Sequence, residues 1–153
     1  MAIIHLYCAH YPDPPQDGNH VRFGDRPEEI DHPDWNQITT ALARLDRDEW
    51  PYVWLYSEPP IEDEPPNNML CVMGGKGLFA ITLFKDGDEI CFYDKTRLHS
   101  GNHSTTIWES DQGREVDEKF LCDSMNELCE IVYLFHTKGE LAELVPGKRW
   151  KVC

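Results

Sequence analysis

Residues 69–93 read MLCVMGGKGLFAITLFKDGDEICFY and hold three apolar segments separated by two glycine-containing turns. The segments Met69–Met73, Leu78–Phe84 and Glu89–Tyr93 carry β-branched and aromatic side chains, which favour strands. Asp86-Gly87 is a strong signal for a two-residue hairpin turn. Because short turns join antiparallel neighbours, this stretch predicts an antiparallel meander.

A helix is predicted on each side of this meander. The first begins near Asp34, whose carboxylate can accept N–H groups of the first turn, and it ends before Pro51. The second begins with a capping box of Ser124 and Glu127 and ends at Gly139, a favourable left-handed cap. Helical periodicity predicts two buried faces: Trp35, Ile38, Ala41, Leu42 and Leu45 on the first helix, and Met125, Leu128, Cys129, Val132, Tyr133 and Phe135 or His136 on the second.

Further strands are expected outside the meander. The pattern therefore predicts an α+β fold, with an antiparallel β-sheet and two main helices packed on it. Residues 1–153 form a single domain in this interpretation, and residues 1–33 are its irregular N-terminal part. The additional strand candidates are Ile3–Cys8, Val21–Phe23, Tyr52–Tyr56, Thr105–Trp108 and a short strand or packed arm within Leu144–Trp150.

Composition excludes several classes of protein. Hydrophobic residues make up 41% of the 153 positions, too many for a disordered chain. The mean hydropathy of −0.55 argues against a membrane protein, and no apolar run approaches the ~20 residues of a spanning helix. The N-terminal sequence lacks the basic start and long apolar stretch of a secretory signal, so a cytoplasmic location is expected.

The charge is strongly negative and unevenly distributed. The chain carries 28 acidic and 14 basic side chains, a formal net charge of −14, of which −10 falls in residues 1–64. This balance argues against nucleic-acid binding, which uses a basic face. The Pro-rich acidic segment Ser57–Asn68 is predicted to be an exposed loop, and long loops often carry function.

The six cysteines form no Cys-x-x-Cys pair. Cys71 and Cys91 lie inside apolar runs and Cys129 lies on the second helix, so all three are expected to be buried free thiols. Without a secretory signal, an even cysteine count is weak evidence for disulfides.

No catalytic set or metal site emerges from the motifs. The nearest metal-ligand spacings are Cys8-x-His10 and His99-x-x-x-His103, whereas a structural zinc site needs four ligands in close pairs. Gly74–Gly77 lacks the phosphate-loop pattern and precedes a strand, so it is interpreted as a hairpin turn. We therefore expect no enzyme, cofactor or metal. A small metal-dependent or cysteine-based enzyme built on those His and Cys residues is the alternative.

The candidate partner-binding surface combines the acidic loop with the strand before it. Alternation places Tyr52, Trp54 and Tyr56 on one face, where they serve either the core or a partner. The loop is either a partner-binding element or a solubilising charged turn, and a third interpretation of the chain is an acidic adaptor domain. The residues assigned to partner binding are Glu58, Glu62, Asp63, Glu64, Tyr56 and Trp54.

Residues 35–150 resemble a family of small immunity proteins from bacterial polymorphic toxin systems, often encoded beside deaminase toxins. The resemblance rests on the helix containing Ile38–Leu45, the glycine-rich hairpin Met69–Ile81, and the C-terminal helix ending Phe135–Gly139 with a tail to Trp150. It implies a non-enzymatic cytoplasmic protein that neutralises one cognate toxin by occluding it. The acidic excess agrees in kind, because a toxin that acts on nucleic acid presents a cationic substrate channel.

Overall fold

The computed structural model describes residues 5–9, 28–58, 61–64, 67–94, 103–108, 114–139 and 149–152. These residues form two α-helices, an eight-stranded sheet and a two-stranded sheet, so the predicted α+β class is confirmed. A 3-10 turn spans Glu118–Phe120. In chain order the elements are β1 (His5–Cys8), β2 (Glu28–Asp31), α1 (Trp35–Arg44), β3 (Tyr52–Tyr56), β4 (Met69–Gly75), β5 (Leu78–Lys85), β6 (Asp88–Tyr93), β7 (Ser104–Trp108), β8 (Arg114–Asp117), β9 (Leu121–Cys122), α2 (Met125–Lys138) and β10 (Arg149–Val152).

The large sheet has the order β10-β6-β5-β4-β3-β1-β2, and β9 pairs with β5 beside this path. Every pairing in it is antiparallel. Strands β3 to β6 are consecutive in sequence and adjacent in space, which confirms the predicted meander. Its two tight turns, Lys76-Gly77 and Asp86-Gly87, have φ values of +52°, +83°, +52° and +83°. Positive φ at both central residues is the geometry of the type I′ turn, which is one of the two turn types that two-residue hairpins favour.

The main core lies between the inner face of this sheet and the two helices. The N-terminus of α1 is capped at Asp34, whose carboxylate accepts the N–H of Gln37, and the Gln37 side chain accepts the N–H of Asp34. In α2 the Ser124 hydroxyl oxygen accepts the N–H of Glu127, and Gly139 ends the helix with φ +67°. Both predicted helix starts are confirmed. The largest fully buried side chains in this core include Leu6, Ile38, Leu42, Leu55, Leu70, Phe79, Ile81, Phe92 and Phe135.

Part of the outer face of the sheet is covered by the β7–β8 hairpin. Ile107 of β7 is fully buried there against Met73 and Leu121. The guanidinium of Arg47 donates to the backbone oxygens of Gly75 and Thr106, which connects the meander to β7. The hairpin therefore has its own small core on the side of the sheet that faces away from the helices.

Sequence patterns missed three strands. The sequence EEID of β2 has one apolar side chain and pairs at the sheet edge with β1, so its strand signal is weak. Strand β8 is polar, and it pairs with its sequence neighbour β7. Strand β9 has only two residues, and its partner is the distant strand β5. The predicted strand Val21–Phe23 lies outside the described residues, as do His10, His99 and most of the C-terminal arm before β10.

The predicted buried face of α2 is wrong at two positions. Met125 is 40% exposed and Tyr133 is 49% exposed, whereas the buried residues are Leu128, Ile131, Val132 and Phe135. The helix rests on one sheet, so only the narrow i, i+3, i+4, i+7 strip reaches the core. No described helix has the length and apolar character needed to span a membrane.

The expectation for the cysteines also needs correction. Cys91 takes part in a disulfide bond. Cys71 and Cys129 are free, but both keep partial exposure instead of being fully buried. The sequence pattern could not reveal the disulfide because Cys91 lies in an apolar run, next to the edge strand β10 that only the folded chain brings alongside.

The disulfide at Cys91 leads to a prediction about the number of free thiols in the unreduced protein. Because one disulfide uses two cysteines, the denatured but unreduced protein should titrate four thiols per chain out of its six cysteines. Titration with a thiol reagent in guanidinium, before and after reduction, measures this difference. Six thiols without reduction, in protein prepared under air, would contradict the prediction.

Candidate partner-binding surface

The antiparallel register brings separate acidic segments to one end of the large sheet. Tyr56, at the end of β3, lies opposite both His5 of β1 and Met69 of β4, and Met69 lies opposite Phe84 of β5. The loop after β3 and the turn after β5 therefore project from the same end. We call this end the acidic end and define it by eight exposed carboxylates: Asp31, Glu58, Glu62, Asp63, Glu64, Asp86, Asp88 and Glu89.

These carboxylates extend across most of the sheet. Asp31 belongs to β2 near one edge, the loop acids connect the central strands β3 and β4, and Asp88 and Glu89 belong to β6. From β2 to β6 there are five strand spacings, or about 24 Å at the usual interstrand distance. The charges thus line a surface as wide as a protein-binding site, instead of clustering at one point.

The acidic loop is tied at its base. The N–H and hydroxyl of Ser57 both donate to the carbonyl of Asn68, at 3.2 Å each. The N–H of Asp86, in the neighbouring turn, donates to Asn67 Oδ1 at 2.9 Å. The two Ser57 bonds close the acidic loop at its base, and the Asp86 bond connects the loop to the β5–β6 turn. A surface whose parts are held together loses less entropy on binding.

The tip of the loop combines charge with one apolar side chain. The N–H of Glu64 donates to the carbonyl of Ile61 at 3.2 Å, which closes a turn, and Ile61 is 64% exposed. Within the described residues of this loop and of the β5–β6 turn there is no lysine or arginine. Lys85, the last residue of β5, lies opposite Asp88 in the sheet. The described tip therefore offers an apolar contact surrounded by negative charge.

The two aromatic residues assigned to partner binding lie below this end, on the outer face of the sheet. Tyr56 is only 9% exposed, and burial raises the pKa of its hydroxyl to about 12. The Trp54 ring stacks on Tyr7 at 5.5 Å and on Tyr52 at 5.2 Å between ring centroids. Both side chains are largely engaged within the protein, while the four assigned acids are exposed. The shared face that alternation predicted is confirmed by the register.

From the sequence, four of the eight residues of the acidic end were assigned to partner binding. These four are Glu58, Glu62, Asp63 and Glu64, whereas the β5–β6 turn acids and Asp31 were left without a role. A signal was present, because a meander with two-residue turns requires alternate turns to lie at the same end of the sheet. The position of Asp31 depends on β2, which the sequence did not indicate.

The residues of the alternative enzyme interpretation do not form a reactive group in the described part. Burial raises the pKa of the Cys8 thiol to about 12, so it is protonated at neutral pH and a poor nucleophile. Among the described residues no three His, Cys, Asp or Glu side chains are arranged to hold a metal ion. His103 is exposed, and its predicted partner His99 lies outside the described residues.

A cavity of about 280 Å³ lies between α1 and the β1–β2 pair. Its floor is apolar, with Leu6, Cys8 and Ile30, and its rim is polar. The rim groups already have partners: Asp34 and Gln37 form the helix cap, and Arg44 is paired with Glu28. Because most of its polar side chains are bonded to one another or to the helix backbone, this cavity lacks the convergent polar groups of a ligand site.

Comparison with known proteins adds evidence on the fold. No protein-family model matches the chain, and no curated protein matches it. A crystal structure of a hypothetical protein from Neisseria gonorrhoeae superposes with a TM-score of 0.51 over 94% of this chain and 93% of that chain, at 15% sequence identity. The likeness therefore concerns the overall fold alone.

Proposed function

We propose that this protein is an immunity protein that binds a basic, nucleic-acid-acting bacterial toxin, plausibly a deaminase, and occludes its substrate site. The observation that supports this most is the acidic end. Eight exposed carboxylates from three separate segments lie on one surface, and the hydrogen bond from Asp86 to Asn67 connects two of those segments. The resemblance of residues 35–150 to toxin-immunity proteins supports the same proposal.

The physical argument is charge complementarity. A toxin that acts on nucleic acid must bind phosphates, so its substrate channel is lined by lysine and arginine. A protein of net charge −14 is attracted to such a channel, and its carboxylates can take the places of phosphates. Charge mainly sets the rate of association, and a buried apolar contact is needed for a long-lived complex. Ile61, exposed among the loop acids, can provide that contact.

The proposal also places the protein in the cytoplasm. The toxin would reach its nucleic-acid substrate in the cytoplasm, and the inhibitor would act there. The disulfide at Cys91 opposes this assignment, because disulfides persist mainly in oxidising compartments. Protein made in a reducing cytoplasm and alkylated before lysis would show whether the disulfide forms there.

The test of the proposal uses the toxic domain encoded by the reading frame adjacent to this gene. Co-expression should rescue growth of cells that produce this domain, and the purified proteins should form a 1:1 complex by size-exclusion chromatography with light scattering. The association rate, measured by stopped flow, should fall as salt increases, since salt screens exposed charges. A neighbouring locus without a toxin, or cells that still die, would overturn the proposal.

A further inference from the structure

Strand β2 is an edge of the large sheet, with one side unpaired in the described structure. It pairs with β1, and no described strand pairs with its other side. Along an edge strand, alternate N–H and C=O groups point away from the sheet. The side chains of Glu29 and Asp31 are 56% and 83% exposed, so the strand is open to solvent. Such an edge can accept an additional strand.

The groove beside this edge is the cavity between α1 and the β1–β2 pair. Its volume of about 280 Å³ lies below the ~300 Å³ that is usual for a small-molecule site. A peptide strand has different requirements, because the backbone of β2 supplies its hydrogen bonds and the cavity has to accept only a side chain. The apolar floor, to which Ala41 of α1 also contributes, suits an aliphatic side chain.

The alternation along β2 predicts the side chains of the strand that it accepts. Ile30 packs on the main core and Glu28 lines the cavity, so Glu29 and Asp31 lie on the other face of the strand. An added strand therefore has one face beside the apolar cavity and the other beside these two carboxylates. Opposite charges on neighbouring strands are favourable. Within the described parts of β1, β2 and α1, Arg44 is the only lysine or arginine, and it is paired with Glu28.

We propose that β2 is a docking site for an extended, basic segment of a partner protein, which adds to the sheet as a strand. This segment alternates apolar residues, one of which enters the cavity, with lysine or arginine beside Glu29 and Asp31. A second copy is a poorer occupant, because two β2 edges would bring like charges together and two chains of net charge −14 repel each other. The proposal goes beyond the function proposed for the acidic end, since it does not require the partner to be a toxin.

A synthetic peptide, Lys-Val-Lys-Leu-Lys-Val-Lys with both ends blocked, tests the proposal on the purified full chain. NMR titration should shift the amide signals of β2 and α1, and calorimetry should give a dissociation constant below about 1 mM. The same peptide with glutamate in place of lysine should not bind. N-methylation of two consecutive central residues should weaken binding by about tenfold or more, because one of these two N–H groups faces β2.

Two pairs of variants locate the site on the protein. Thr40→Trp places a bulky side chain at the rim of the cavity, whereas Ala43→Trp places it on α1 away from the cavity lining. Glu29→Lys reverses a charge on β2, and Glu130→Lys reverses an exposed charge on α2. The first member of each pair should weaken peptide binding by about tenfold or more, and the second should bind like the wild type.

Several outcomes would overturn the proposal. They are no binding at about 1 mM peptide, equal binding of the N-methylated peptide, and equal effects of the two members of a pair. Shifts confined to the acidic loop would also overturn it, because the peptide would then be held by charge alone. Self-association of the full chain that Glu29→Lys abolishes, measured by sedimentation velocity, would assign the edge to a second copy instead. The amide spectrum of each variant shows whether it is folded.

Discussion

Replacing Glu58, Glu62 and Glu64 together with lysine is expected to slow association with the cognate toxin by about 10- to 100-fold at low salt. The three carboxylates are exposed on one loop, so their reversal changes the field at the acidic end with little effect on folding. Asp63 is left unchanged because its φ of +65° suits aspartate better than lysine. Stopped-flow association rates over a salt series measure the effect, which should diminish as the salt concentration rises.

A matched variant separates the position of the charge from its amount. Glu115, Asp123 and Glu130 are exposed acids outside the acidic end, and changing all three to lysine alters the net charge by the same amount. This control should associate much faster than the loop variant. Equal rates for the two variants would mean that only net charge matters. An unchanged rate in the loop variant would mean that the loop takes no part in binding.

The substitution Gly75→Ala is expected to destabilise the protein by about 3–5 kcal/mol and to lower its melting temperature by about 10 °C. The φ of Gly75 is +140°, a value that other residues rarely adopt. A Cβ atom there would lie 2.4 Å from the carbonyl oxygen of Leu45 and 2.6 Å from the backbone nitrogen of Asp46. Backbone atoms cannot move aside as a flexible side chain can. The segment after α1 would therefore be pushed off the sheet.

A second glycine of the same hairpin provides the control. Gly77 also has a positive φ, +83°, but no atom lies within 4 Å of the position where its Cβ would be. Gly77→Ala should therefore cost only the left-handed backbone strain, about 1 kcal/mol. Thermal and chemical denaturation of the two variants measure the difference. Similar losses of stability in both would contradict the close contact at Gly75.

Gly77 and Gly75 show which features of this hairpin the sequence could predict and which it could not. Gly74–Gly77 predicts a turn because glycine adopts positive φ, and Lys76-Gly77 is that turn. The need for glycine at position 75 could not be predicted from the sequence. It arises because the segment after α1 pairs with β4 through a bridge between Asp46 and Gly75. Turn formation depends on neighbouring residues, so it can be predicted from the sequence. The close approach of a distant segment gives no sequence signal other than the glycine itself.

The α2 helix also has features that the local sequence predicts and features that depend on tertiary packing. The cap at Ser124 and the end at Gly139 depend on hydrogen bonds within a few residues, and both were predicted from the sequence. Which side of the helix is buried depends on how it rests on the sheet, so the exposure of Met125 and Tyr133 was not foreseen.

The sequence by itself determined the elements whose signals are short-range: the two capped helices, the meander with its tight turns, and the acidic loop between Tyr56 and Met69. Only the tertiary structure decided which of these come together. Antiparallel pairing places the β5–β6 turn beside the acidic loop, and Asn67 bonds to Asp86 across the gap between them. The acidic end exists because strand register, a long-range property of the whole sheet, aligns carboxylates that lie far apart in the chain.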